Sequence, residues 1–310
     1  MAVQQTACVV WRFSDGKPGH DAQSCGLINA LAHYRLLQVH EIAVNNTKYC
    51  GLYGLYDFIY KRFSAGEQLP RPALLIGAGH ATHWPLLLAR RARGGRLIVL
   101  MKPSLPKCWF DLCIIPQHDD VVAGRGVFTT QGPLNSISPA HCLDVKQGLF
   151  LIGGPSKHYA WSCSNMLQQI QQIARSTPEI HWLLTTSRRT PEAFLTALNA
   201  MQMSNLQVIP HSTTPSGWVA AQLAKAAQVW VSEDSLSMIY EALTAGASVG
   251  LLHLPSKRAS RVIRATKELI EAGYVTAYAA WQLGAKLPAP KQPLNEAERC
   301  AAWIHRDWLD

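Results

Sequence analysis

Residues 228–255, QVWVSEDSLSMIYEALTAGASVGLLHLP, decide the fold of this chain. Two apolar runs, VWV and VGLL, flank a segment in which apolar side chains recur at helical spacing. Serine and aspartate favour the position just before a helix, and glycine favours the position just after it. The stretch therefore predicts a strand, a helix and a second strand, with Asp234 or Ser235 as the N-cap and Gly246 at the end of the helix.

The start of this helix is a candidate anion site. A helix that follows a buried strand presents unpaired backbone N–H groups and the positive end of its dipole, which suit a phosphate group. Glu241 lies about two turns further along, where its carboxylate can reach the hydroxyls of a ribose. Glu233 adds a second carboxylate beside Asp234, which opposes anion binding unless it points away. The alternative is an ordinary scaffold unit, because every α/β sheet contains such a segment.

The same alternation of apolar strand, turn and helix runs through the chain and is typical of a buried parallel sheet. A length of 310 residues suits two domains of about 150 residues each. The Ser/Pro-rich segment 133–140 is the predicted linker. We predict an N-terminal domain over residues 1–135, a C-terminal domain over 141–290, and a last helix within 291–310 that crosses back to the first domain.

The composition is that of a folded globular protein, with 48% hydrophobic and 16% charged residues. No apolar run approaches the roughly 18 residues of a membrane span, and the N-terminal sequence lacks the basic segment of a signal peptide. These features predict a cytoplasmic protein, with peripheral attachment at the inner membrane as a further expectation. The eight cysteines include no C-x-x-C pair, which favours buried thiols over disulfides or zinc.

A formal net charge of +9 favours anionic partners. The chain contains no zinc finger, RNA-recognition motif or basic arm, so we expect no nucleic acid among them. Four arginines cluster in residues 90–96, and three more recur at three-residue steps in 258–264, where they are expected on one helix face. Both groups are either solvated faces or contacts for phosphate or for an anionic membrane surface.

Ligands of open α/β sheets bind beyond the carboxyl ends of the strands, so the turns at those ends are candidate sites. The turn after the first strand is rich in glycine and polar residues and precedes a predicted helix over 22–32, but it lacks the P-loop pattern. Either it is a plain turn, or Asp15, Lys17 and His20 face a ligand together with the start of the helix.

A second turn of the N-terminal half is GAGHATH, residues 77–83. It lacks the third glycine of a dinucleotide-binding fingerprint, so it is weak evidence for such a site. Its two histidines, His80 and His83, have no visible third ligand for a metal ion. Substrate contact by His80 and simple packing at the start of a helix both remain open.

Two turns of the C-terminal half are candidates for phosphate contacts. In residues 153–157, GGPSK, two glycines let the backbone approach a phosphate, while serine and lysine add a hydroxyl and a cation. In residues 187–189, SRR, adjacent arginines are able to clamp a diphosphate with paired hydrogen bonds. The alternative for the second turn is a solvated helix start.

Four blocks together resemble the Elm-type mitochondrial fission protein family, and they occur in the expected order. They are DGKPGHxxQS (15–24), LIGGPSKxYxW (151–161), TTSRRTP (185–191) and DSxSMxxEA (234–242). The last block is also similar to the donor-site signature of nucleotide-sugar glycosyltransferases of the GT-B architecture. The resemblance implies an α/β protein of two Rossmann-like domains facing across a cleft, without defining a reaction.

The leading hypothesis is a metal-independent glycosyltransferase that uses a nucleotide-diphosphate sugar as substrate, needs no cofactor, and acts on a cell-envelope glycan or lipid-linked acceptor. Asp15 or His20 is the expected catalytic base. The expected acceptor residues are Lys17, Gly19, Gln23, Ser24 and His80. The expected donor-binding residues are Gly153, Gly154, Ser156, Lys157, Ser187, Arg188, Asp234, Ser235, Met238 and Glu241. The alternatives are a sugar-nucleotide epimerase and a non-catalytic scaffold associated with membrane or a division machine.

Overall fold

The computed structural model describes residues 7–44, 52–121, 124–288 and 293–309. In these ranges the chain forms twelve strands, which pair in parallel within two six-stranded sheets. The strands are β1 Cys8–Ser14, β2 Leu37–Ala43, β3 Leu74–Ala78, β4 Arg96–Leu100, β5 Leu112–Pro116, β6 Val127–Thr130, β7 Asp144–Leu151, β8 His181–Thr185, β9 Leu206–Ile209, β10 Ala226–Ser232, β11 Ser248–Leu252 and β12 Val275–Ala277.

Helices connect the strands and cover the sheets. They are α1 Pro18–Leu31, α2 Leu52–Ile59, α3 His83–Arg93, α4 Cys163–Ser176, α5 Glu192–Ala200, α6 Trp218–Leu223, α7 Leu236–Ala245, α8 Arg261–Glu271, α9 Tyr278–Gln282 and α10 Glu296–Ile304. A π-helical turn, His305–Leu309, extends α10. No helix in the described ranges is both long and apolar enough to cross a lipid bilayer.

The chain divides into two compact units. Unit 1 holds the described residues up to Ser136 together with those from Asn295 onward, and unit 2 holds Ile137–Leu294. Each unit has one of the six-stranded sheets with helices packed on it. The predicted fold class, two α/β domains built on parallel sheets, is confirmed.

In unit 1 the strand order is β2-β1-β3-β4-β5-β6. The order reverses between β1 and β3, which carry the two turns predicted as sites in this half. One core cluster lies where α1 packs against α10, with Leu27 and Leu31 from the first helix and Ala301 and Ile304 from the last. The C-terminal helix is therefore part of the unit 1 core.

In unit 2 the strand order is β12-β11-β10-β7-β8-β9. This is the order of a Rossmann sheet, whose strand order reverses between its first and fourth strands, here β7 and β10. Ligands of such sheets bind at this reversal, outside the carboxyl ends of the strands. The turns after β7 and β10 are the GGPSK turn and the start of α7.

The segment that predicted the fold forms the predicted elements. β10, α7 and β11 follow one another, and Gly246 ends α7 in the left-handed conformation with φ +88°. Ser235 occupies the N-cap position, but its side chain makes no capping hydrogen bond. The first turn of α7 therefore has no side-chain cap on its amide groups.

Two helix starts differ from the sequence prediction. α1 begins at Pro18 rather than at residue 22, because proline fits the first helical position, where its missing N–H group costs nothing. α8 begins at Arg261, since Ser260 caps it by accepting a hydrogen bond from the Ile263 amide. Arg258 therefore precedes the helix, and the prediction that it shares a helix face with Arg261 was wrong.

Candidate functional site

In unit 1 a histidine and an aspartate lie hydrogen-bonded where β1 leads into α1. His20 Nδ1 is 2.9 Å from Asp15 Oδ2 and 3.1 Å from Oδ1. Burial alone would raise the pKa of Asp15, but hydrogen bonds from His20 and the Lys17 amide, with the charges of both residues, outweigh burial and lower it. With Nδ1–H donating to this carboxylate, His20 keeps Nε2 as its proton-accepting nitrogen.

The ring of His20 lies over the end of the neighbouring strand β3. Gly79 has φ +81°, and a Cβ atom placed there would lie 2.3 Å from the ring carbon Cε1 of His20. Only glycine satisfies both the backbone conformation and the space. The structure thus brings together the two turns predicted as sites in this half, those after β1 and β3.

Three of the other predicted residues at this edge are exposed. Lys17 has 57% of its side chain exposed, with Nζ 3.4 Å from Asp15 Oδ2. Gly19 and His80 are also exposed. His83 is buried instead, and burial followed by the charge of His80 lowers its pKa to about 4, so its ring is neutral at physiological pH.

Gln23 and Ser24 serve the fold rather than the surface. Ser24 is 1% exposed, donates to helix carbonyl groups of α1 and accepts a hydrogen bond of 3.1 Å from Arg12. Gln23 is buried and donates to the carbonyl oxygen of Gly19. Ligand contact by Ser24 would require these hydrogen bonds to break, and its assignment to the acceptor site stays a prediction.

The reason for this arrangement is Arg12, a buried cation on β1 that the sequence analysis missed. Its guanidinium bonds to Asp21 at 2.9 Å, to Ser24 and to Glu41. A buried charge needs such partners, and they fix the first turns of α1 against the sheet. An arginine inside an apolar strand, VVWRF, was the available signal.

In unit 2 the side chain of Asp234 joins three turns at the carboxyl edge of the sheet. Its carboxylate is fully buried and accepts hydrogen bonds from Ser232 Oγ at 2.7 Å and from the Gly154 amide at 3.1 Å. Arg189 completes the set with an ion pair of 2.8 Å. A Cβ atom on Gly153 would lie 2.2 Å from this carboxylate, so only glycine fits there.

This arrangement changes the predicted roles of several donor residues. The amides of Gly153 and Gly154 donate to Ser232 and Asp234, so in this conformation they are not free for a phosphate. Ser156 Oγ likewise accepts from the amides of His158 and Tyr159. The role of the two glycines in letting the backbone approach a phosphate stays a prediction, and Lys157 is exposed.

The adjacent arginines have different surroundings. Arg189 folds back onto the turn, pairing with Asp234 and donating to the carbonyl oxygen of Gly154 at 3.3 Å. Arg188 is exposed and has no ion-pair partner in the described part of the chain. Ser187 donates to the carbonyl oxygen of Gly153 at 3.0 Å. Arg188 is thus the arginine of this pair left available to a ligand.

Glu233 turns toward the end of β11. Its Oε2 accepts a hydrogen bond of 2.9 Å from the Leu254 amide and lies 3.3 Å from His253 Nδ1. The hydrogen bond to Glu233 raises the pKa of His253. The negative charge expected to oppose anion binding is therefore engaged by the backbone and by a neighbouring histidine.

Glu241 lies half-buried in α7. Burial raises its pKa from 4.5 to about 7, and none of the described residues forms an ion pair or hydrogen bond with it. Met238, one turn earlier, is half-buried and packs against the apolar cluster beneath the helix. A half-buried carboxyl with a raised pKa and no partner among the described residues is a group that a ligand can satisfy.

The family assignment follows from the whole sequence. The family model described as "Mitochondrial fission ELM1" matches residues 18–308. The chain belongs to the mitochondrial fission ELM1 family. No curated protein matches it significantly.

Solved structures show which fold this ELM1-family chain has. A candidate UDP-N-acetylglucosamine 2-epimerase from Listeria monocytogenes aligns with a TM-score of 0.63 at 12% identity, covering 96% of this chain and 95% of that one. UDP-GlcNAc 2-epimerase from Neisseria meningitidis, bound to UDP-GlcNAc, aligns at 0.54 and 9%, covering 98% and 100%. Acinetobacter baumannii MurG aligns at 0.53 and 13%, covering 96% and 99%. The chain has their GT-B fold.

A basic cluster lies beside the predicted donor-binding turns of the ELM1-family chain. Its members are Lys157, Lys257, Arg258 and Arg261. Burial, and then the charges of Lys157, Arg258 and Arg261, lower the pKa of His158, which places these cations around one loop. Lys257 donates to the carbonyl oxygen of Ser156 at 2.9 Å. The cations at 257–261 were visible in the sequence, but only the fold brings them beside the GGPSK turn.

Proposed function

We propose that this protein binds a nucleoside-diphosphate sugar at the carboxyl edge of the unit 2 sheet and transfers the sugar to an acceptor hydroxyl. The observation that carries the proposal is Glu241, a half-buried carboxyl with a raised pKa and no ion-pair or hydrogen-bond partner among the described residues, located on the helix whose first turn lacks a side-chain cap. Glu241 lies six positions after Ser235, which is roughly 9 Å along the helix axis. That length suits a diphosphate at the helix start and a ribose at the carboxyl.

Cationic groups support the phosphate end of this proposal. The positive end of the α7 dipole and the exposed side chains of Lys157 and Arg188 favour a diphosphate. In this mechanism they stabilise the negative charge on the departing nucleoside diphosphate, so that no metal ion is needed. Arg189 acts indirectly, by holding Asp234 and the turn after β7 in place.

The histidine–aspartate pair of unit 1 supplies the base. His20 Nε2 removes the proton of the acceptor hydroxyl as that oxygen attacks the sugar, and Asp15 stabilises the resulting imidazolium. Lys17 and His80 are proposed to contact the acceptor. A cell-envelope glycan or lipid-linked acceptor remains the sequence-based prediction for its identity.

Epimerisation of a nucleotide sugar is the second candidate. It is favoured by the structural likeness to proteins named as UDP-GlcNAc 2-epimerases, at TM-scores of 0.63 and 0.54. The two reactions are separated by incubation with UDP-GlcNAc in the absence of an acceptor. A change of configuration at carbon 2 without release of UDP identifies an epimerase, and release of UDP that requires an acceptor identifies a transferase.

The binding step is tested by calorimetric titration with UDP, GDP, ADP, CMP and their sugar conjugates, with and without Mg²⁺. We expect saturable binding of one nucleotide that is lost in Glu241→Ala and weakened about tenfold in Arg188→Ala. Glu271→Ala, which changes an exposed carboxylate of α8, is the matched control and should bind like the wild type. If no nucleotide in the panel binds, the proposal fails and a non-catalytic scaffold becomes the better account.

A further inference from the structure

Unit 1 has a concave site at the amino ends of β4, β5 and β6. Two adjoining cavities of about 730 and 500 Å³ open there and share Asp111, Arg125, Gly126 and Trp308 in their walls. Asp15 and His20 lie at the opposite, carboxyl edge of the same sheet. The cavities are therefore separate from the site of the proposed transfer reaction.

The walls of these cavities carry an excess of positive charge. Arg96, Lys107 and Arg125 line them, and none of the three has an ion-pair partner among the described residues. The acidic residue in the walls is Asp111, and both of its oxygens are engaged. Its Oδ1 pairs with Arg90 at 3.1 Å, and its Oδ2 accepts the Leu97 amide at 2.7 Å. Asp111 therefore does not neutralise the charges of Arg96, Lys107 and Arg125.

Arg96 is held in an orientation that suits an anion. Its guanidinium carbon lies 4.7 Å from the centroid of the Trp308 ring, over the ring face. Stacking of this kind occupies the flat face of the guanidinium and leaves the N–H groups in its plane free for paired hydrogen bonds to a phosphate. Trp308 is itself braced edge-on by Trp303, with ring centroids 5.8 Å apart.

We propose that this cavity binds an organic phosphate. Its phosphate group lies against Arg96, Lys107 and Arg125, and its carbon skeleton packs on the apolar walls formed by Phe110 and Trp308. A volume of about 730 Å³ is far larger than an inorganic ion needs and falls within the range of small-molecule sites. Because the proposal uses no residue of the donor or acceptor sites, it stands independently of the proposed function.

Calorimetric titration of the full chain with phenyl phosphate, the simplest probe with both parts, tests this site. We expect saturable binding that is weakened at least about tenfold in Arg96→Ala, since paired hydrogen bonds to a charged group are lost. Arg71→Ala removes an exposed arginine of unit 1 outside the cavity and should leave the affinity unchanged. Benzyl alcohol, which lacks the charge, should not bind.

A second variant guards against misfolding, because Arg96 also contacts Trp308. Lys107→Gln combined with Arg125→Gln removes two charges without touching that stack, and it should weaken phenyl phosphate at unchanged thermal stability. The proposal is overturned if the wild type shows no saturable binding, if the cavity variants bind normally, or if inorganic phosphate binds equally well. Loss of binding only in Glu241→Ala would also overturn it, by placing the probe in unit 2.

Discussion

The carboxyl group of Glu241 destabilises the folded protein whenever it is ionised, because burial favours its neutral form. Its pKa is about 7 in the folded protein against 4.5 when exposed, so the folded state resists ionisation between these values. We predict that the wild type loses roughly 3 kcal/mol of stability relative to Glu241→Gln as the pH rises from about 4.5 to about 7, with no further loss above. Chemical unfolding of both proteins across this range measures the difference.

The control for this prediction is Glu271→Gln, which neutralises an exposed carboxylate of α8. Its stability relative to the wild type should stay nearly constant over the same pH range, because this side chain is exposed to solvent in the folded chain as well as in the unfolded one. A stability difference between the wild type and Glu241→Gln that does not change with pH would show that Glu241 is solvated.

Nucleotide binding should release a proton through the same residue. Ribose hydroxyl groups donate hydrogen bonds to the ionised carboxylate, so a bound nucleotide lowers the pKa of Glu241 from its value of about 7. We expect affinity to strengthen as the pH rises from 6 to 8. Calorimetry at pH 7 in two buffers of different ionisation enthalpy should give different binding enthalpies. Equal binding enthalpies in the two buffers would mean that no proton is released, and would contradict the contact between Glu241 and the ribose.

At the scale of secondary-structure elements, the carboxylate of Asp234 joins the turns after β7, β8 and β10. Arg189→Ala removes the half-exposed cation from this buried carboxylate, which keeps its hydrogen bonds from Ser232 and Gly154, and should lower the free energy of unfolding by about 2 kcal/mol. Arg188→Ala, one residue away on the exposed side, should change it by less than about 0.5 kcal/mol. Unfolding in urea compares the two variants, and equal losses would contradict the distinction between the two arginines.

The sequence predicted elements well where each signal was local. In residues 228–255 the apolar runs, the N-cap candidates and Gly246 all indicated one arrangement, and β10, α7 and β11 follow it. The order of turns along the chain was equally visible. The strand-order reversals bring particular turns next to each other. These reversals depend on pairing between strands that are distant in sequence, so local sequence patterns do not predict them.

The roles of individual side chains were harder to predict for the same reason. Arg188 and Arg189 are adjacent and have the same side chain, so the sequence does not distinguish them. Only the position of Asp234 in the fold shows that Arg189 forms the structural ion pair. Arg96 and Trp308 stack although most of the chain separates them. The buried Arg12 bonds to Ser24 and has its partners on two other elements, α1 and β2.

At the scale of the whole molecule, unit 1 is assembled from both ends of the chain. α10 supplies Cys300, Ala301 and Ile304 to the apolar cluster that also contains Leu27 and Leu31 of α1. A chain that ends at Leu294 should therefore lose the cooperative unfolding transition of unit 1, since removal of buried apolar side chains of this kind costs several kcal/mol. Unit 2 should keep its own transition. Calorimetry with limited proteolysis checks both halves, and an unchanged unit 1 would refute the prediction.

The return of α10 also sets the order in which the protein matures on the ribosome. The strands of unit 1 emerge first, yet their last covering helix is synthesised only after all of unit 2. Unit 2 is one continuous segment of the sequence, so it is able to fold while the chain is still being synthesised. Until α10 is synthesised, unit 1 exposes the apolar side of α1. Unit 1 is therefore the unit that chaperones should bind until translation ends.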